Sequence, residues 1–457
     1  MSPELIQGST AAGKWQEPFD ASVTDVFQVQ ADIAGRVASA LDVALGASQK
    51  QTLTERPTQN LAAYDAYLKG DAAQGLLLAD PPSLRASITY YEKAVALDPS
   101  FADAWSKLAR SRALYYYNVT PNPSDADAAK SAAERALALA PDRPEGRLAQ
   151  GSYLYFARGD NSGALTQFEA GLKVAAENSE LLTLAALAEQ SLGHWDAAVV
   201  HLQRAAKLDP RSAPTARRLA HTFLRLRRYP EALAASDRGL ALAPTNMDMV
   251  ENRAMIFLAQ GDLAGARQVI AAVPPEVEPT TIVSNFAWYW DLMWVLDDAQ
   301  QNLLLRLPLD AFGGDRGTMA IVRAQTYYLR GDSDKVRIFA DSARQGFEET
   351  LRATPNDPQR SAFLGLALAY LGRKADAIRE GQRALELLHG GDDYIGPYLQ
   401  HVLARIYIVT GEPDKAVDQL EALLKRPYYL SPGWLRIDPN FAPLKDNPRF
   451  RKLAAGV

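Results

Sequence analysis

Three groups of residues in this chain could take part in chemistry, and the first is a loop. Gly8 to Trp15 reads G-x-x-x-x-G-K, the spacing with which a glycine-rich turn cradles phosphates and a lysine reaches them. Trp15, however, stands where Ser or Thr would hold magnesium, and Pro18 stands where the phosphate-binding helix would begin. The turn of a small hairpin describes the loop better, and ATP turnover through Lys14 is not expected. The second group is histidine. His194, His201, His221, His389 and His401 include no H-E-x-x-H, and a chain with no cysteine offers zinc no thiolate. Scattered surface or groove positions suit them. Serines and carboxylates are present, but no strand-turn-helix nucleophile elbow frames them. No catalytic constellation, cofactor site or metal site emerges, so a chain that is not an enzyme is expected.

The third group is a cationic stripe. In "RRLAHTFLRLRR", Arg217, His221 and Arg225 are spaced i, i+4, i+8, which puts them on one face of a helix, and no acid lies between Arg211 and Tyr229. Such a stripe can accept a carboxylate or an acidic segment through charge-assisted hydrogen bonds. It can equally be a solvated or intramolecularly neutralised helix face. Either reading requires a helix there, and the sequence around it supplies one.

From Glu145 to Val277 four alanines recur every 34 residues, at Ala164, Ala198, Ala232 and Ala266. Glycine keeps the same interval five residues earlier at Gly159, Gly193 and Gly261, with Arg227 the exception. Four residues before that come Tyr155, Phe223 and Phe257, with Glu189 breaking the set, and small residues recur at Ser152, Ala186, Ala220 and Ala254. Two helices of about 12 to 14 residues and their turns use up such a period, and neither can bury its apolar stripe alone. They must stack. Small residues twelve apart let the two axes approach to about 8 to 10 Å. The glycine ends the first helix in a left-handed conformation, and Pro210 and Pro244 close the units.

On these residues the chain resembles the tetratricopeptide repeat (TPR) family. The resemblance implies an all-α, right-handed α-solenoid of nine or ten helix pairs, in which the first helix of each pair lines a concave face. Carried over unit by unit, that face offers Arg110; Tyr153; Arg217, His221 and Arg225; Glu251 and Met255; Gln325; Tyr370; and His401 and Arg405. The implied function is a non-catalytic scaffold that takes a peptide or protein segment in its groove. The family's two-carboxylate clamp of Lys and Asn is not matched.

The totals fit one solenoid better than several globular domains, because 457 residues of repeats grow by addition. A net charge of -5 argues against a nucleic-acid partner. No basic, apolar leader opens "MSPELIQGST", and the most apolar stretch, Ile282 to Leu296, carries Asn285 and Asp291 and is too short to span a bilayer. A soluble, cytoplasmic protein without membrane insertion is expected, binding a protein or peptide and free to form a homo-oligomer.

Taken in order, residues 1–23 read as a hairpin and 24–60 as a helix, with Val26, Val29, Ile33, Val37, Leu41 and Leu45 on one side, followed by a connector. Repeats are expected over 61–426, with an insertion around "NVTPNPSDAD" and a divergent pair over about 276–317 whose first helix contains Trp288, Trp290 and Trp294, read as core. Residues 427–457 form a capping tail, with Leu435, Ile437, Phe441, Leu444, Phe450 and Leu453 covering the last apolar face and Pro448 opening a short helix. The run "WQEPFDASVTDVFQVQADIAGRVASAL", followed by "LTERPTQNLAAYDAYLKG", resembles the junction of bacterial regulators where a TolB-like α/β domain hands over to a TPR array, and "LSPGWLRIDPNFAPLKDNPRFRKL" is similar to the tail that closes those arrays. That resemblance implies an alternative, a regulatory or sensory segment of a signalling protein whose kinase, cyclase or DNA-binding output is absent from this chain.

Overall fold

The computed structural model describes residues 4–7, 12–16, 56–74, 81–118, 122–288, 290–388 and 392–456. Strand β1, Glu4–Gln7, runs antiparallel to β2, Ala12–Gln16. Residues 8–11, the helix expected over 24–45 and the connector up to residue 55 lie outside the described residues, as does His389.

Ten helix pairs follow among the described residues. They are α1 (Leu61–Gln74) with α2 (Pro81–Leu97), α3 (Ala102–Asn118) with α4 (Pro123–Leu139), and α5 (Pro144–Ser152, continued by a π turn over Tyr153–Arg158) with α6 (Asn161–Val174). Next come α7 (Ser179–Ser191) with α8 (Trp195–Leu208), α9 (Ala213–Arg225) with α10 (Tyr229–Leu242), and α11 (Met247–Ala259) with α12 (Leu263–Ala271). The set ends with α13 (Pro279–Trp288) and α14 (Asp298–Leu304), α15 (Arg316–Leu329) and α16 (Ser333–Ala353), α17 (Pro358–Tyr370) and α18 (Lys374–Glu386), and α19 (Gly396–Val409) and α20 (Pro413–Leu424). The array is an α-solenoid.

Local chemistry sets the boundaries. Asn178, Ser212 and Asn246, again 34 apart, cap α7, α9 and α11 by accepting the backbone N–H groups of Leu181, Thr215 and Met249. The alanines of the repeat and their partners Ser152, Ala186, Ala220 and Ala254 are all buried, so the paired helices meet where the side chains are smallest. In the ninth pair the approach is closer still: a Cβ on Gly365 would come within 2.9 Å of the Ala377 carbonyl oxygen. First helices are buried on nearly every side, as in α7, α9, α11 and α19, whereas second helices such as α8, α10 and α20 bury one stripe and leave the rest to solvent. The first helices therefore form the inner layer and the second helices the outer one.

The divergent pair departs from expectation. Its first helix stops at Trp288, so Trp290 and Trp294 lie beyond it, because Asp291 adopts a left-handed conformation at φ 56° and breaks the helix. The reason is its carboxylate. Asp291, 5% exposed, accepts from Arg405 Nη1 at 2.9 Å, Tyr398 Oη at 3.0 Å and Gln325 Nε2 at 3.1 Å, tying the seventh, eighth and tenth pairs together. Trp294 is buried edge-on against Trp434, 6.0 Å between ring centres, in keeping with a core role.

After α20 the chain forms α21 (Pro432–Ile437), a 3-10 turn over Pro439–Leu444 and α22 (Pro448–Ala455). Phe441, Leu444 and Phe450 are buried there, and Asn447 caps α22 ahead of Pro448. This tail and the turn ahead of α19 also meet the middle of the array. Asp393 N–H donates to the Ser191 carbonyl at 2.9 Å, Arg225 Nη1 to the Tyr394 carbonyl at 2.7 Å, and Ser431 Oγ to the Ala259 carbonyl. The solenoid thus closes on itself, the tenth pair and the tail resting on pairs four to six.

The Asp291–Arg405 pair sits where that closure is anchored. Arg405→Ala leaves a carboxylate buried without its counter-charge and should cost about 3–5 kcal/mol in urea unfolding followed by helical ellipticity. Arg405→Met combined with Asp291→Asn, which buries no unpaired charge and keeps a residue tolerant of φ 56°, should recover most of the loss.

Candidate functional site

The inner layer is where the sequence-derived candidates fall, and the structure sorts them into three neighbourhoods. At the amino-terminal end, Arg110 is half-buried and paired with Glu180, which also meets Lys107 at 3.5 Å. Burial alone would raise the Glu180 carboxyl, but Arg110 and Lys107 hold it below its ordinary value. Tyr153 is buried within the π turn of the third pair.

In the middle, Arg217, Glu251 and Asn285 occupy the same repeat position in three successive first helices, 34 residues apart. Neither Arg217 nor its neighbour Arg218 has a hydrogen-bonded or ion-paired partner among the described residues. Burial, with Arg217 alongside, lowers the Arg218 guanidinium to about 10, which still leaves it cationic at neutral pH. Glu251, 3% exposed, has an oxygen without a hydrogen-bond partner. Burial and then Asp248 push its carboxyl well above the usual range, with Arg217 pulling the other way. Met255 is fully buried below it.

The carboxy-terminal half of the stripe is covered. Arg225 is 0% exposed: beyond its bond to the Tyr394 carbonyl, its guanidinium lies 4.1 Å from the centre of the Tyr394 ring and 5.7 to 5.9 Å from those of Tyr428, Trp195 and Trp290. His221 stacks on Trp290 at 5.8 Å and meets Tyr394 Oη at 3.4 Å. His401 contacts the hydroxyls of Tyr428 and Tyr429 at 3.3 and 3.2 Å and stacks on Phe441. Gln325 and Arg405 belong to the Asp291 cluster, and Tyr370, half-buried, packs on Tyr328 at 4.9 Å. Although burial works against the charge of Arg405, Asp291 and Tyr370 beside it raise its pKa. The expected open stripe is therefore open only at Arg217, with Arg225 and His221 sealed under the chain's own aromatic residues.

Sequence reasoning passed over the residues that do the sealing. Tyr394, Tyr428 and Tyr429 carry no periodic signal, because they lie in connections between helices. Arg218 was visible as part of the same basic run, and Arg227 as the break in the glycine series. The Glu189 break has its own local reason, a hydrogen bond between its carboxylate and His201 Nδ1 at 2.9 Å. Among the described residues no group of three His, Asp or Glu could hold a metal ion, and no helix is long and apolar enough to cross a membrane.

Comparison with known proteins agrees with this geometry. Residues 217–277, the fifth and sixth pairs, match the tetratricopeptide repeat family. None of the curated protein sequences matches the chain. Among solved structures, PilW, a widely conserved type IV pilus biogenesis factor, is 18% identical, with a TM-score of 0.38 over 52% of this chain and 100% of its own. A thermophilic TPR protein from Thermus thermophilus is 21% identical, with a TM-score of 0.35 over 41% and 95%. The human IFIT1 dimer with m7Gppp-AAAA is 14% identical, with a TM-score of 0.43 over 79% and 77%. The matched segment thus carries tetratricopeptide repeats, and the paired helices on either side of it continue the same α-solenoid.

The two buried imidazoles give the covered region a pH signature. Burial, with Arg405 adding, lowers His401 to about 3; burial and then Arg225, Arg217 and Arg218 lower His221 well below its ordinary value. In the unfolded chain each takes up a proton near pH 6.5. The unfolded state therefore binds more protons below that pH, and stability should fall as pH drops from about 6.5 towards 3, by about 1.4 kcal/mol per pH unit for each histidine. Melting curves at pH 7.5 and 5.5 check this, and His401→Gln should shrink the difference between them.

Proposed function

We propose that this protein is a non-catalytic interaction scaffold whose inner wall binds an acidic segment of a partner protein at Arg217 and Arg218. The observation that carries this reading is that two adjacent guanidiniums stand on the inner layer with no hydrogen-bonded or ion-paired partner among the described residues, although the chain as a whole has an excess of acids. Unpaired cations next to buried surface are costly to retain, and a carboxylate from outside would satisfy them with two or more charge-assisted hydrogen bonds. Glu251 strengthens the case from the opposite side. A partnerless buried carboxyl weakens the fold and is a common mark of a surface kept for binding. Arg110, already paired with Glu180, lines the approach. The TPR resemblance supports the groove as the binding face and a cytoplasmic setting. The resemblance of residues 15–70 to the TolB-like junction supports a bacterial regulator as the setting in which such a scaffold would work. Self-association would use the exposed second helices rather than this wall.

Arg217→Glu with Arg218→Glu should reduce capture of a fluorescent Glu-rich peptide by roughly tenfold or more in anisotropy titrations, with helical content unchanged. A Lys-rich peptide should not bind the parent. Equal affinity of parent and variant for the acidic peptide overturns the assignment. Arg225 is unsuited to the test, since Arg225→Glu would place a carboxylate in a fully buried aromatic cage.

Glu251 offers a second check. A carboxyl whose folded-state pKa is raised contributes stability below its unfolded value near 4.3 and loses it as pH rises, so at neutral pH it destabilises the fold. Glu251→Gln should raise the melting temperature at pH 7 and change it little at pH 4.

A further inference from the structure

Gly193 and Gly261 turn between the helices of their pairs at φ 79° and 82°, and in the intervening pair Arg227 does so at φ 58°. Glycine adopts that left-handed conformation freely, whereas the Cβ of an arginine crowds the backbone there. What Arg227 offers instead is reach. Its guanidinium donates to the carbonyls of Leu430 at 3.0 Å, Arg426 at 3.3 Å and Leu423 at 3.5 Å. Two of these oxygens lie at the carboxy-terminal end of α20, where the helix dipole is negative.

The equivalent turns on either side take part in the same contact. Ser191 receives the Asp393 N–H in the fourth pair, and in the sixth pair Ala259 receives Ser431 Oγ. There Gly433 lies so close that a Cβ on it would come within 2.7 Å of the Ala259 carbonyl oxygen. Three successive turns, 34 residues apart, thus form a rim, and the last pair with the segment Tyr428–Trp434 is seated along it. What the seated parts cover is the wall: Tyr428 of the segment lies 5.7 Å from the Arg225 guanidinium, and Tyr394, just ahead of the last pair, lies over both Arg225 and His221.

We propose that Arg227 is the latch of an intramolecular gate: the rim of pairs four to six holds the chain's own segments Asp393–Tyr394 and Tyr428–Trp434, and the wall at Arg225 becomes reachable only when that rim releases them. This rests on the reading of the inner wall as the binding face for its consequence, but not for its geometry. A partner that needs the covered half of the wall competes with a covalently attached occupant, so its apparent affinity falls by the fraction of molecules that are closed.

The test uses the full chain without any partner. Arg227→Gly places the residue of the neighbouring turns at the same φ and so folds as they do, but removes the guanidinium. Gly433→Val evicts the segment by bulk instead. Both variants should raise hydrogen exchange at the Asp393 amide, and chymotryptic cleavage after Tyr428 and Tyr429, by roughly tenfold or more, while exchange in α3 to α6 stays at the parent's level. Parent-like protection of Asp393, Tyr428 and Tyr429 in Arg227→Gly overturns the latch, even if Gly433→Val opens the segment. Loss of protection throughout α3 to α6 also overturns it, because Arg227 would then support the fold at large. Since no ligand enters the experiment, its failure would leave the acidic-ligand reading standing, and failure of that reading would leave the gate.

Discussion

The closeness with which each pair of helices meets governs everything built on it. Ala164, Ala198, Ala232 and Ala266 are buried on the second helices and Ser152, Ala186, Ala220 and Ala254 on the first, and these are among the smallest side chains a helix can carry. A leucine at any of them would overpack the contact at a cost of about 1–3 kcal/mol and, more damaging, would change the angle between the helices. Angle is cumulative in a solenoid. A small constant rotation per pair is what brings the tenth pair back to the fourth, fifth and sixth, so the hydrogen bonds of Ser191, Arg227 and Ala259 depend on a spacing set at sites far from them.

That dependence explains what could be read from the sequence and what could not. Local rules fixed the helix pairs: the alanine interval, caps at Asn178, Ser212 and Asn246, and left-handed glycines at 159, 193 and 261 all act within one repeat. The break of the divergent helix at Asp291 was illegible because its cause is 114 residues away, at Arg405. Closure was illegible for the same reason. His221 and Arg225 read as an open stripe since their covers, Tyr394 and Tyr428, approach from the other end of the array and sit in connections without period.

Exceptions to the pattern were nevertheless informative. Glu189, in a place of aromatics, pairs with His201 within its own unit, and Arg227, in a place of glycines, bonds carbonyls of the last unit. The two breaks differ in kind. A polar residue on a buried position needs one nearby partner, and Glu189 finds it twelve residues on. An arginine in a left-handed turn gains nothing locally, so its partner had to be sought outside the unit. A substitution that makes its own turn worse is thus a pointer to long-range contact, where one that mends itself is not.

Closure also divides the inner wall into two electrostatic regimes. On the covered side, aromatic faces and the Tyr394 carbonyl surround Arg225, and the Asp291 carboxylate meets Arg405. Beyond it the chain supplies Arg110 with Glu180 and then stops, leaving Arg217 near a carboxyl, Glu251, that burial keeps from ionising in its ordinary range. Were the fold optimised for stability alone, the same packing would have turned these into apolar residues, as at Met255 one turn further along α11. Tyr394 and Tyr428 cover His221 and Arg225, whereas Arg217, one helical turn back along the stripe, has neither over it. It is on this discontinuity, rather than on the size of any cavity, that the proposed acidic-ligand reading rests.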